Sequence, residues 1–151
     1  MEIIHPGVDT TIFKPLDKEL CRQMLQLPKE KVILCFGAAS TSYKNKGLDF
    51  LTECINHSSL REKVFCLVFG SGGERLHELK CGWRFVGYND SEHLMAAVYS
   101  ASDIFVMPSR METFGLTALE AMACGVPVIA SKVGGLVDII LEEKRAFGSG
   151  R

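Results

Sequence analysis

The sequence predicts an α/β domain of the doubly wound, Rossmann-like kind. One parallel sheet in the order 3-2-1-4-5 lies between two helical layers, as α/β/α. Three observations carry this. Short apolar runs alternate with helical periods along the chain. Those runs are continuously apolar rather than alternating, as strands covered on both faces require. The 151 residues, 47% apolar and 23% charged, suit one globular domain.

Each element has its own signal. The first 30 residues read as a lead-in, with a turn-rich "HPGVDTTIFKP" and a short helix over 18–27. Lys31 to Phe36 is the first strand, closed at Gly37, and a loop follows. Leu48, Leu51 and Ile55 fall at i, i+3 and i+7, one face of a helix. Val64 to Phe69 is the second strand, ended by a tight turn at "GSGG". That turn is no dinucleotide fingerprint, because the third glycine position of G-x-G-x-x-G is Arg75. A short helix is expected over Glu74 to Lys80 and a third strand over Trp83 to Val86. Ser91 caps a helix running to Ser100, and Ile104 to Met107 is the fourth strand. Thr117 to Cys124 is helical, Val128 to Ala130 is the fifth strand, and the polar tail 141–151 is expected to fray.

Composition narrows function by exclusion. A formal net charge of −1 gives no bulk attraction to nucleic acid or to an anionic membrane. No run of 18 apolar residues exists, so no membrane-spanning helix is expected. Met1 to Pro6 is too short and too acidic for a signal peptide. Six cysteines without a C-x-x-C pair read as reduced, mostly buried thiols, and so as a cytoplasmic protein. The four histidines are isolated and read as surface residues; with no Cys/His cluster, no metal is expected. A flavodoxin-like signalling domain is disfavoured because Asp103 precedes the fourth strand instead of following a strand.

The informative stretch is "ETFGLTALEAMACGVP", residues 112–127. Gly125 and Pro127 stop a helix near Cys124, so its start lies near Gly115 or Leu116. Glu112 then sits in the loop before the helix, and Glu120 about one turn inside it. A helix start offers unpaired N–H groups and about half a positive charge, which suits an anion. The two carboxylates suit pairs of hydroxyls. A ligand with hydroxyls, then phosphate, then more hydroxyls fits, and a nucleotide sugar has that order. Taken alone, Glu120 could merely stabilise its helix. Its small, apolar neighbours argue instead for a buried charge that needs a partner.

The other wall of the site is expected after the first strand, because ligands bind where strand order reverses. Lys44 and Lys46 stand there, ahead of Gly47 and a helix start. Alone they are solvated loop lysines; beside Glu112 and Glu120 they become candidates for neutralising a diphosphate.

"SRMETFGLTALEAMACGVPVIASKVGGLVDII" resembles the signature of family 4 glycosyltransferases, the retaining group with the GT-B fold, whose hallmark E-x7-E is here Glu112 and Glu120. "FGAASTSYKNKGLDFL", "VFGSGGE", "WRFVGY" and "LMAAVYSASDIFVMPS" agree, so the resemblance runs from about His5 to Ile140. It implies a donor-binding GT-B half that serves transfer of a hexose-type sugar from a nucleotide diphosphate to an acceptor hydroxyl. Glu112 would contact the donor sugar, and Lys46 would hold the diphosphate and stabilise leaving-group charge. Glu120 would hold the ribose. Gly37, Lys44, Gly72, Thr113, Phe114, Gly115 and Leu116 complete the expected donor-binding set. The family is usually metal-independent, and no cofactor beyond the donor is implied.

Two departures stand out. The arginine the family usually carries shortly before that lysine is missing from "GAASTSY", and lysine at 44 cannot grip a phosphate bidentately. The chain also corresponds to the donor half only, so the acceptor-binding domain is expected to be missing or separate, and isolated transfer to be weak. The alternative is a non-catalytic fragment or subunit that binds nucleotide sugar or pairs with a separate acceptor domain.

Overall fold

The computed structural model describes residues 7–41 and 44–140, with side chains at all of these except 38–40. The expected frayed tail and His5 lie outside the described residues. In chain order the elements are α1 (Lys18–Met24), β1 (Val32–Ser40), α2 (Leu48–Asn56), β2 (Val64–Ser71), β3 (Gly82–Gly87), α3 (Glu92–Ser100), β4 (Ile104–Met107), α4 (Leu116–Ala123), β5 (Val128–Ala130) and α5 (Leu136–Ile139). Single 3₁₀ turns stand at Lys44–Lys46, Ser59–Glu62 and Leu76–Glu78. The five strands form one sheet in the order β3-β2-β1-β4-β5, and every pairing is parallel.

Successive strand residues point to opposite faces, and each face has its own core. Ile33 and Cys35 of β1, Leu67 and Phe69 of β2, and Phe105 and Met107 of β4 join the cluster under α1, α3, α4 and α5. Phe36 of β1 with Cys66 and Val68 of β2 joins the second cluster, under α2 and the turn at Leu76. This is why the strands read as continuous apolar runs.

An ion pair buries one end of the lead-in. Arg22 of α1 is 7% exposed; its Nη2 donates to Asp103 at 2.6 Å and its Nε to the Ala101 carbonyl at 2.9 Å. Asp103 also accepts from the Ile33 amide at 2.8 Å, tying α1 to the starts of β1 and β4.

Two expectations are corrected and one element is added. The helix expected over 74–80 is only the 3₁₀ turn Leu76–Glu78, because Gly72 and Gly73, both at positive φ, leave the chain too little length before Cys81 to complete an α-helix. β1 and β2 run past Gly37 and Phe69, to Ser40 and Ser71, pairing with each other beyond their apolar cores. The short helix α5 was not expected. Five of the six thiols are buried and Cys54 is exposed; His57, His77 and His93 are exposed.

Candidate functional site

Strands β1 and β4 pair only at Leu34–Ile104 and Cys35–Phe105. Beyond Cys35 they part, and a cavity of about 290 Å³ opens between their carboxyl ends. Gly37 and Met107 floor it, Lys46 lines one side, and Glu112 to Thr117 line the other. This is the switch point of the sheet, where β1 leads one way and β4 the other.

Local geometry explains why these residues meet. Gly47 has φ +79°, and a Cβ there would overlap the Pro108 carbonyl, so only glycine lets the start of α2 lie flush against the loop after β4. Arg110 fastens the same junction. Its amide donates to the Asn45 carbonyl at 2.7 Å, Nη1 to the Lys44 carbonyl at 2.6 Å and Nη2 to Asp49 at 2.8 Å. That contact holds the Asp49 carboxyl below its ordinary range. With the two loops pinned, Lys46 Nζ reaches Glu112 Oε2 at 2.8 Å; the side chains are 20% and 12% exposed. Helix α4 begins just beyond, and its N-cap Gly115 offers no side chain to the first N–H groups. One ammonium, one carboxylate and an amide-rich helix tip therefore line one cavity.

A second cavity, of about 430 Å³, adjoins the first along Leu116 and Thr117. Glu120 lines it, with Gly70, Tyr88, Asn89, Asp90 and Glu92 among its other walls. Burial raises the Glu120 pKa; the Tyr99 hydroxyl, which donates to Oε2 at 2.7 Å, pulls it down, and Glu92 nearby pushes it up. Tyr99 is fully buried, and burial together with Glu120 lifts its phenol well above the usual range.

The structure thus brings Gly37, Lys46, Glu112, Thr113, Phe114, Gly115 and Leu116 to one cavity, and Glu120 to its neighbour. Lys44 and Gly72 line neither. Lys44 is exposed on its 3₁₀ turn and contributes its carbonyl to Arg110; Gly70, two residues earlier, takes the wall position expected of Gly72. Sequence reasoning missed Arg110, Tyr99 and the Tyr88–Asp90 loop. Arg110 stands beside the quoted stretch but gives no sign of its partners, which lie more than 60 residues away. Tyr99 sits in an otherwise apolar helix face, and a lone polar group there is the signal that could have found it.

Comparison with known proteins finds relatives along most of the chain. The family model described as "Glycosyl transferases group 1" matches residues 30–148. A D-inositol 3-phosphate glycosyltransferase of Streptomyces bingchenggensis is 37% identical over 89% of this chain and 33% of its own length. The solved sucrose-phosphate synthase of Thermosynechococcus elongatus is 33% identical with a TM-score of 0.77, over 91% of this chain and 36% of that one. The C-terminal domain of a glycosyl transferase group 1 family protein from Francisella tularensis is 29% identical with a TM-score of 0.70, over 90% of this chain and 76% of that one. The chain thus spans about a third of the length of the curated relatives it matches.

Proposed function

The chain belongs to the group 1 glycosyltransferases, and from that premise we propose that it is the donor-binding domain of a retaining enzyme that moves a hexose-type sugar from a nucleotide diphosphate to an acceptor hydroxyl. The observation that carries this reading is the cavity between β1 and β4, lined at once by Lys46, Glu112 and the start of α4. The diphosphate lies across the α4 tip, where amides and the helix dipole favour negative charge. Lys46 leaves Glu112 for the diphosphate and stabilises the charge that grows on the leaving phosphate as the glycosidic bond breaks. Glu112, released, accepts from hydroxyls of the sugar. Glu120 in the adjoining cavity accepts from the ribose hydroxyls. No divalent metal is needed, because the ammonium and the helix tip meet the phosphate charge. A second domain supplies the acceptor, and the free thiols suit the reducing cytoplasm.

Calorimetric titration with UDP-, GDP- and ADP-sugars, with and without a chelator, tests the reading. One of the three is expected to bind, unaffected by the chelator, and Glu120→Ala is expected to weaken it. Absence of binding by all three, or unchanged affinity in Glu120→Ala, refutes the corresponding assignment.

A further inference from the structure

Tyr99 makes a contact that packing alone does not call for. Its ring is held on three sides: edge-on to Phe69 at 5.7 Å and to Phe105 at 5.6 Å, and tilted against Phe13 at 6.3 Å. A phenylalanine would fill this cage equally well and would bury no polar atom. The hydroxyl is accounted for only by its target, the Glu120 carboxylate 2.7 Å away in the wall of the second cavity. The partner oxygen, Oε1, accepts no hydrogen bond from a described side chain.

Resting on the reading of Glu120 as the ribose-binding carboxylate, we propose that Tyr99 is its positioning residue: the caged phenol clamps Oε2 and presents Oε1 to the sugar's vicinal hydroxyls. A glutamate has three side-chain torsions and would otherwise sweep the cavity wall. A ring fixed by three aromatic neighbours removes that freedom before the ligand arrives, which is the general gain from pre-organisation. The clamp also keeps the carboxylate a pure acceptor. The groups facing Glu120 are Tyr99 and Glu92 on α3, Asp90 in the loop ahead of α3, and Cys124 one turn along α4. Burial and the Glu92 carboxylate favour protonation, and Tyr99 is the donor that opposes it.

The test is Tyr99→Phe, which keeps the ring and removes one oxygen, with Glu120→Ala beside it. UDP, GDP and ADP are each titrated against their 2′-deoxy forms. The wild type is expected to prefer the ribose form of the diphosphate it binds. Tyr99→Phe is expected to lose about tenfold on the ribose form and under about twofold on the deoxy form, as loss of a charge-assisted hydrogen bond acting through the ribose contact predicts. Equal losses on both forms, the mark of a merely structural residue, overturn the proposal, and so does no loss. Independently of any ligand, carboxyl-carbon NMR should show Glu120 titrating at higher pH in Tyr99→Phe; an unmoved midpoint also overturns it. If Glu120→Ala keeps the wild-type ribose preference, or no diphosphate binds, the underlying ribose assignment fails and takes the clamp's role with it. If Glu120→Ala abolishes the preference while Tyr99→Phe preserves it, only the clamp fails.

Discussion

The loop that carries Glu112 is held from behind by two glycines, and Gly134→Ala tests how firmly. Gly134 has φ +50°, and a Cβ on it would overlap the Glu112 carbonyl oxygen. The Gly135 amide donates to that same oxygen at 3.3 Å. The backbone of 134–135 therefore lies flush against 112–113. Alanine incurs two separate penalties. The left-handed conformation costs a residue with a Cβ about 1–2 kcal/mol. Relief of the overlap moves the Glu112 backbone on the order of 1 Å, a misplacement that can cost on the order of 10²-fold at a reacting centre. Gly87→Ala separates the two penalties, since Gly87 has φ +80° with nothing within 4 Å of the added carbon. Both variants should lose a few degrees of Tm, at about 2–4 °C per kcal/mol for a chain of this size. The Gly134 variant should lose more. Its affinity for the best-binding nucleotide sugar should also fall by on the order of tenfold or more, read by calorimetry at a temperature where both variants are folded. The reasoning is refuted if Gly134→Ala melts no lower than Gly87→Ala and binds donor as the wild type does.

Glu112→Gln frees Lys46 from its ion pair. Binding of the bare nucleoside diphosphate should tighten by up to about fivefold, the scale of a partly exposed pair, while the additional affinity contributed by the sugar falls. A weaker diphosphate complex would contradict the exchange of partners. Asp103→Asn leaves the Arg22 guanidinium buried beside a neutral amide and should cost about 3 kcal/mol, seen as a lower urea midpoint at unchanged m-value. Burial alone would raise the Asp103 pKa, but the Ile33 amide, Lys18 and Arg22 together hold it below the ordinary range. Its stabilisation is therefore complete above the unfolded carboxylate pKa of about 3.9 and is lost as pH falls through the lower folded value. Acid should consequently narrow the gap between wild type and variant, and a gap constant from pH 7 to pH 2 would refute the assignment. Cys54 should be the first thiol alkylated in the folded chain, whereas Cys35, pushed up to about 12 by burial, should react only on unfolding; peptide mass spectrometry distinguishes them.

Much of this architecture is legible in the chain because local and global signals agree. Strand β4 and the span of α4 are read from a short apolar run between Asp103 and Pro108 and from the Gly125–Pro127 stop. The switch-point cavity follows from strand order alone, since that order decides which two loops face each other. The failures have a common cause. The turn at 76–78 contains helix-forming residues, but its length is set by where β2 ends and β3 begins, a tertiary constraint. Lys44 and Lys46 are two residues apart and look equivalent in the sequence. On the 3₁₀ turn they diverge, because Arg110 takes the Lys44 carbonyl and Glu112 takes the Lys46 ammonium. Glu120 called for a partner by its apolar surroundings, yet only the fold shows that a tyrosine hydroxyl already supplies one bond.

The division of charge between the two cavities bears on how a ligand would lie. The first holds Lys46 and the uncapped start of α4, and its carboxylate is already neutralised by the lysine. The second is lined by Asp90, Glu92 and Glu120, with no lysine, arginine or histidine among the described residues of its walls. A phosphate in the second cavity would face three carboxylates with no counter-charge among the described residues, whereas hydroxyls and ring N–H groups would find acceptors there. Phosphate in the first and nucleoside in the second is the arrangement that satisfies both. In that arrangement the sugar of the proposed donor would lie on the Glu112 side, at the open end of the β1–β4 crevice. Reversing the polarity should therefore be costly: Glu92→Lys, at the rim of the second cavity, should increase binding of inorganic pyrophosphate more than binding of the nucleoside. The opposite result would mean that the two cavities do not divide the ligand in this way.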